Sequence, residues 1–448
     1  VFRLAGCVFA AVLAAHALSP VLTSGDSRWT VLVALSLLER GDTNLDEYLD
    51  LVRESGYYGV ECVQDGGAVR GPAIGDCAGG HLYNWYPIGV PLLAAPIVAG
   101  LRGALGVLAP ALQRWSTSGR KPILDALLRG DLVGGRAAVE MIAASLLVAL
   151  AAAVLSLTAR NFLPAWQAAG LAFLFAFATP AWSTASRALY QHGPSMLLIA
   201  VTVHLLVAAQ RRPRLAALAG LPAAFAYVVR PTNLLLVAAV AAYVLHRHRR
   251  QFPAFAACAA LVAGAFVAYN LSAFGSLLPS YYRLRPPPPD WRVFEALAGN
   301  GISPSRGLLV FTPVFLFSIA GAAMALRQGW LRPLPAYLAG WAAAHLVAVS
   351  LYVSFWWGGY SYGPRLTSDL TPVLVLFLVP VLEAWRRTGW RWRPAQVLFL
   401  LSLAASLFIH GHGALSFAPH TWNTVPVSVD SKPERVWDWR DPQFLRRW

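Results

Sequence analysis

Asp26 stands in the stretch Ser24-Gly25-Asp26-Ser27-Arg28-Trp29, where a first apolar segment gives way to a long polar loop. A carboxylate at such a boundary can accept the proton of a hydroxyl brought to it, the work of a general base. The plainer alternative is a cap for the helix expected over Trp29 to Leu38, because Asp is favoured at such ends. A second set of residues carries the opposite charge. From Met141 to Pro289 the chain has no acidic residue, yet Arg187, Arg230, Arg283 and Arg285 fall there at positions expected at or inside a membrane boundary, with His192 nearby. A guanidinium in or near hydrocarbon is costly without a partner. The missing anion must come from elsewhere, and a lipid phosphate fits the guanidinium fork. The alternative is that these arginines snorkel to ordinary head groups or pair with the acidic first loop.

Two later stretches extend the pattern. Asn300-Gly301-Ile302-Ser303-Pro304-Ser305-Arg306-Gly307 and Phe355-Trp356-Trp357-Gly358-Gly359-Tyr360-Ser361-Tyr362-Gly363-Pro364-Arg365 each put an arginine beside glycines at a boundary before an apolar run. Glycine lets a ligand approach the backbone. Trp356, Trp357, Tyr360 and Tyr362 suit sugar faces and hydroxyls, and equally suit an aromatic belt at the membrane surface. Tyr83 and Tyr86 open the stretch Tyr83-Asn84-Trp85-Tyr86-Pro87-Ile88-Gly89-Val90-Pro91-Leu92. Asp42, Asp46 and Glu47 read as solvated acids, with a lesser role in acceptor or metal binding as the alternative. His16, His410 and His412 read as structural, and no His and Cys spacing suggests zinc.

These residues need a scaffold, and composition says which kind. Of 448 residues, 57% are hydrophobic and only 13% charged, whereas soluble domains carry roughly a quarter charged residues. The chain reads as an all-α, polytopic membrane protein. Its net charge of +15 sits in short loops between apolar runs, which argues for the positive-inside rule and against nucleic acid. The first segment, about residues 4 to 22, follows Arg3 and precedes acids from Glu39 to Asp76. That predicts a cytoplasmic N-terminus and an outer first loop. No small-residue cleavage site follows the segment, so it reads as a retained helix.

Basic loops at Arg211 to Arg214, His246 to Arg250, Arg327 to Arg332 and Arg386 to Arg393 are expected in the cytoplasm. Between the first two lie only Leu215 to Leu245, interrupted by Arg230-Pro231-Thr232-Asn233. Two helices of about 14 residues rise about 21 Å each, short of the roughly 30 Å hydrocarbon core. Arg230 is therefore expected inside the membrane or at the head of a wet groove. Counting that pair as two gives about eleven crossings, a transmembrane domain over 1–412 with an outer loop at 24–136, and an outer tail at 413–448. Charge leaves residues 88–108 without a crossing to make, so they are expected as an interfacial or re-entrant helix, against a true span. Cys7 and Cys258 fall in apolar spans. Cys62 and Cys77 share the outer loop, where a periplasm-like compartment permits a disulfide of about 3 kcal/mol.

Asp26 after the first span, Tyr86-Pro87-Ile88-Gly89-Val90-Pro91-Leu92, Arg230-Pro231-Thr232, Ser305-Arg306-Gly307-Leu308 and Gly363-Pro364-Arg365 together resemble the GT-C membrane glycosyltransferases. The likeness is to bacterial relatives of the protein O-mannosyltransferases and, more distantly, to the aminoarabinose transferases acting on lipid A. It runs from residue 1 to Trp437-Asp438-Trp439-Arg440. It implies an inverting transfer of a hexosyl or pentosyl group from a polyprenyl-phosphate donor to a hydroxyl of a glycan, lipid or protein acceptor, on the outer face of a bacterial inner membrane. Asp26 matches the catalytic acid of the first outer loop and would serve as base. Arg230 and Arg365 would bind the donor phosphate, with Arg187, His192 and Arg306 as further candidates, and Tyr83, Tyr86, Tyr360 and Tyr362 would line the substrate. Metal dependence varies in the family, so a divalent cation stays open. The chain departs from the mannosyltransferase pattern in having Asp26-Ser27 where an acidic pair is expected, and in lacking a large outer domain. The rival classes are a lipid-linked oligosaccharide ligase on another fold, and a transporter or flippase for a polyprenyl-linked substrate. A transporter would place ionisable residues near the midplane and often show inverted repeats.

Overall fold

The structure is a computed structural model that describes residues 2–64, 67–283, 291–389 and 393–447. Arg285 lies outside the described residues. The chain is mainly helical, and its apolar runs become helices because a helix satisfies its own backbone without water. The principal helices are α1 (Phe2–Ala17), α2 (Thr30–Glu39), α3 (Gly89–Trp115), α4 (Arg136–Ala159), α5 (Ala165–Phe177), α6 (His192–Ala209) and α7 (Leu215–Val229). They continue as α8 (Leu234–Arg247), α9 (Arg249–Phe274), α10 (Phe315–Gln328), α11 (Leu334–Ser350), α12 (Ser368–Thr388) and α13 (Pro394–Leu415). Six of these are long and apolar enough to cross a membrane: α3, α4, α6, α9, α12 and α13.

The centre of the bundle is α4, packed on α1, α5 and α6. Ala138, Ala143, Ala144, Ala149, Ala151 and Ala152 of α4 are all buried. Small residues let neighbouring backbones close in, the main source of helix association where lipid is as apolar as the side chains. Helices α7 and α8 are the short pair expected from the sequence. Arg230 ends α7 in an extended conformation, φ −153° and ψ 123°, and Pro231 opens the turn before α8. Proline has no backbone donor and therefore starts a helix more readily than it continues one.

The first polar loop holds more structure than an all-α reading expects. Strands β1 (Val60–Gln64), β2 (Gly67–Arg70) and β3 (His81–Asn84) form an antiparallel sheet in the order β2-β1-β3, with Cys62 opposite Val69 and Leu82. Cys62 and Cys77 are joined by a disulfide that closes a 15-residue separation. Helix α2 buries seven consecutive residues, Thr30 to Ser36, so it is wrapped by protein rather than lying with one open face.

Of residues 88–108, all but Ile88, which precedes it, fall within one continuous helix, α3, which at 1.5 Å per residue is about 40 Å long and contains Pro96 and Pro110. Its two ends pack on different neighbours. At the start, a Cβ on Gly89 would come within 2.6 Å of the Val228 carbonyl, so only glycine fits against the end of α7. Towards the other end, Ala109 meets Gly130, shortly before α4.

Candidate functional site

Asp26 does not cap α2; the N-cap position is Trp29, which has no side-chain cap bond. Its carboxylate instead meets residues from three distant parts of the chain. Oδ1 accepts a 2.6 Å bond from the Tyr58 hydroxyl, and Oδ2 pairs with the Arg365 guanidinium from 339 residues away. Tyr58 is in turn 3.3 Å from the Tyr86 hydroxyl. Arg365 also lies over the Tyr190 ring, 5.0 Å from its centroid. Asp26 and Arg365 each keep 19% of their side-chain surface open.

Local sequence explains how Asp26 is held there. Ser24 and Ser27 donate to the two oxygens of Glu140, at 2.8 and 2.5 Å, so the loop is clamped on both sides of Asp26 to the outset of α4. Trp29 donates to the Tyr58 carbonyl at 2.7 Å, fixing the turn that carries Tyr58. Gly59 in that turn has φ +71°, and a Cβ there would stand 3.0 Å from the Tyr86 ring. Glycine thus meets both the left-handed backbone and the close ring.

Electrostatics keep the pair ionised. Burial alone would raise the Asp26 carboxyl, but the Arg365 charge and the bonds from Tyr58, Arg365 and Tyr86 outweigh it and hold the group below its ordinary value. Burial and the Asp26 charge push the Tyr58 and Tyr86 hydroxyls up, so both remain donors.

A second charged group adjoins the first through the backbone. Asp369 is wholly buried and sits 2.9 Å from Arg230, 3.5 Å from His192 and 3.8 Å from His345. Arg230 also contacts the His192 ring and donates to Thr232 Oγ1 at 2.9 Å and to the Leu366 carbonyl at 3.2 Å. His345 approaches the same carbonyl at 3.3 Å. Leu366 follows Arg365 directly, so the buried quartet grips the segment that aims Arg365 at Asp26. This corrects the expectation of an Arg230 without a protein anion. The acid-free run from Met141 to Pro289 is real, but Asp369 reaches Arg230 from another helix.

Two more arginines proposed for phosphate are taken up by the protein's own oxygens. Arg187 is 0% exposed and donates to the carbonyls of Ser19, Trp182 and His16 and to Ser186 Oγ. It seals the last turn of α1, where carbonyls lack helical partners. Arg306 is 1% exposed and donates to the carbonyls of Trp357, Ser305 and Gly359 and to Gln443 and Asn423. The last two of these bonds dock the tail.

The tyrosines divide. Tyr86 lines a crevice with Trp85, Asn84, Tyr269, Asn270 and Tyr282. Tyr360 and Tyr362 line another, with Thr23, Thr184, Tyr190 and Arg365. Tyr360 is open and bonds Ser428, whereas Tyr362 is buried and donates to the Ile409 carbonyl at 2.7 Å. Tyr83 pairs with Glu61 across the sheet and packs on Phe274, outside both crevices. Arg283 is exposed. Among the described residues no group of three or more His, Cys, Asp or Glu is arranged to hold a metal ion.

Sequence reasoning passed over Tyr58, Tyr190, Glu140 and Asp369. For the last two a signal existed: each is a lone acid near the start of an apolar helix, where ionisable residues are rare and functional. No protein-family model matches the chain, and a search of curated proteins finds no match.

Proposed function

We propose that the chain is an inverting glycosyltransferase that moves a sugar from a polyprenyl-phosphate donor to a hydroxyl acceptor at the outer membrane surface. The observation that carries this reading is the partly open Asp26–Arg365 pair, a base and a guanidinium, with Arg365 and the neighbouring Tyr86 lining two crevices of different character. The Arg365 crevice offers one guanidinium beside the Thr23 hydroxyl, both suited to a phosphate, while the Tyr190 and Thr184 hydroxyls there donate to the carbonyls of Thr23 and Tyr362. The Tyr86 crevice offers aromatic faces and two amides with unpaired buried atoms, Asn84 Nδ2 and Asn270 Oδ1. One sugar hydroxyl can donate and accept, and so satisfy both.

The chemistry follows from these groups. The acceptor oxygen bonds to the anomeric carbon from the face opposite the phosphate, and its proton passes to Asp26. The bond from the anomeric carbon to the phosphate oxygen breaks, and the electron pair leaves with the phosphate. Arg365 stabilises that developing charge. In the structure Asp26 occupies Arg365, which keeps the carboxylate weakly basic. A donor phosphate that draws Arg365 away removes the charge that lowers Asp26, and so strengthens the base only when substrate is present. Arg230, His192, His345 and Asp369 hold Arg365 in register from behind.

The same reading arranges eleven crossings, α1 and α4 to α13, with α3 along the surface. Several contacts support it. His16 in the last turn of α1 meets the Ala176 carbonyl in the last turn of α5 at 3.1 Å, so those ends share a side. Thr158 of α4 meets His204 of α6 at 2.9 Å while Val148 lies beside Gly193, so α4 and α6 run in parallel. His410 near the end of α13 joins Ser183 and Thr312, before α6 and α10. In this arrangement the His16–Ala176 and His410 contacts lie on the side of Asp26 and the Thr158–His204 contact on the other.

Substituting Asp26→Asn tests the assignment. Transfer from a polyprenyl-phosphate sugar should fall by about 10²–10⁴-fold, with retention of the lipid donor unchanged; full activity would remove Asp26 as the base.

A further inference from the structure

The helix Arg292–Ile302 is amphipathic, and its two faces meet different surroundings. Ala296, Gly299 and Asn300 are buried, and a Cβ on Gly299 would fall 2.1 Å from the Trp356 ring. Trp356 belongs to a small second core with Trp357, Trp422, Val429 and Val436, built from the segment after α11 and the tail. The opposite face carries Trp291, Phe294 and Ile302, exposed by 74%, 72% and 52%, with Ala298 between them. Those four positions recur at helical spacing and form one continuous apolar stripe.

The level at which this stripe lies is fixed by one bond. Asn300 Nδ2 donates to Ser350 Oγ at 3.1 Å, and Ser350 is the last residue of α11. The helix therefore rests at the end of an apolar helix rather than above it or beside its middle. That end of α11 and the segment after it are themselves open and apolar at Val347, Leu351, Tyr352 and Phe355. Trp and Tyr favour the plane between head groups and acyl chains, where ring and polar edge are both accommodated.

We propose that Arg292–Ile302 is an interfacial anchor whose Trp291, Phe294 and Ile302 insert into the outer lipid leaflet. The occupant is a lipid surface, because the helix rests by its buried face on the end of an apolar helix and turns its exposed Trp and Phe away from the protein at that level. On its other side the anchor carries the tail and the Arg306 segment, since Ser303 Oγ donates to the Val436 carbonyl at 2.6 Å. It thereby ties the tail to the membrane plane. The inference does not depend on the chemistry proposed for Asp26.

The test is a nitroxide at Phe294→Cys in a Cys7→Ala, Cys258→Ala background, with the protein in phosphatidylglycerol and phosphatidylcholine nanodiscs. Ser431→Cys on the exposed tail is the control. Collision with oxygen, which concentrates in lipid, should exceed collision with a water-soluble nickel chelate several-fold at 294, with the reverse at 431. A nickel-dominated response at 294 would overturn the anchor, and low access to both reagents would show a protein-covered face and overturn it equally. Loss of the 294 signal on folding is not expected, since the side chain is exposed. Trp291→Cys gives a second reading at the same face.

Discussion

At the scale of residues, the account turns on Asp26 and Arg365, and the pair has a definite pH signature. Asp26 is held below its ordinary value of 3.8, chiefly by Arg365 against the opposing effect of burial. A carboxyl lowered on folding contributes stability in full above its unfolded value, about 3.9, and loses it as pH falls through the lower folded value. Thermal melting of the wild type and of Asp26→Asn in detergent should therefore differ by a constant amount from pH 8 to about 5 and converge below about pH 4. Convergence on the alkaline side instead would show that the pair is not ionised as described. Asp26 was legible in the sequence because it stands at the end of the first apolar run beside serines and arginine. Arg365 was legible as a candidate phosphate ligand but not as the partner of Asp26, and Tyr58 was not singled out. Tyr58 and Arg365 are brought to it by tertiary folding, across separations of 32 and 339 residues.

At the scale of elements, the short pair α7–α8 shows where pattern reading succeeds and where it stops. The 31 residues between two basic loops were enough to expect two short helices with Arg230 at their joint. Charge counting within that region could not supply Asp369, which arrives on α12. The pairing has an energetic consequence, since removing one partner strands a buried charge at a cost of about 3–5 kcal/mol, whereas removing both costs less. Arg230→Ala should lower the melting temperature more than the Arg230→Ala, Asp369→Ala double substitution does. Additive losses would mean that the two side chains do not stabilise each other. Arg306 makes a separate case. Two of its five donor contacts, to Asn423 and Gln443, fasten the tail, so Arg306→Ala should expose residues 416–447 to limited proteolysis while the helical bundle stays intact. An uncleaved tail would transfer that role to the aromatic core around Trp422.

At the scale of the molecule, hydropathy and charge made the helical scaffold readable, and among the described residues six helices meet the length and apolarity of membrane crossings. The short helices were harder to place, because 13 to 17 residues give only a weak signal alone and are understood through their packing. The three-stranded sheet in the first loop went unseen, since strands of four or five residues leave little periodicity. An odd number of crossings puts the two chain ends on opposite sides. An impermeant maleimide applied to intact cells should label Ser431→Cys and reach Arg3→Cys only after permeabilisation. Labelling of both without permeabilisation would end the eleven-crossing arrangement.

The most direct test of the central claim is mass spectrometry of lipids that stay bound through gentle purification, comparing the wild type, Asp26→Asn and Arg365→Ala. A polyprenyl monophosphate, bare or carrying one sugar, should be present in the first two and lost from the third, because Arg365 holds the phosphate and Asp26 acts only on the acceptor. A pyrophosphate-linked oligosaccharide in its place, or equal retention by Arg365→Ala, would contradict the account.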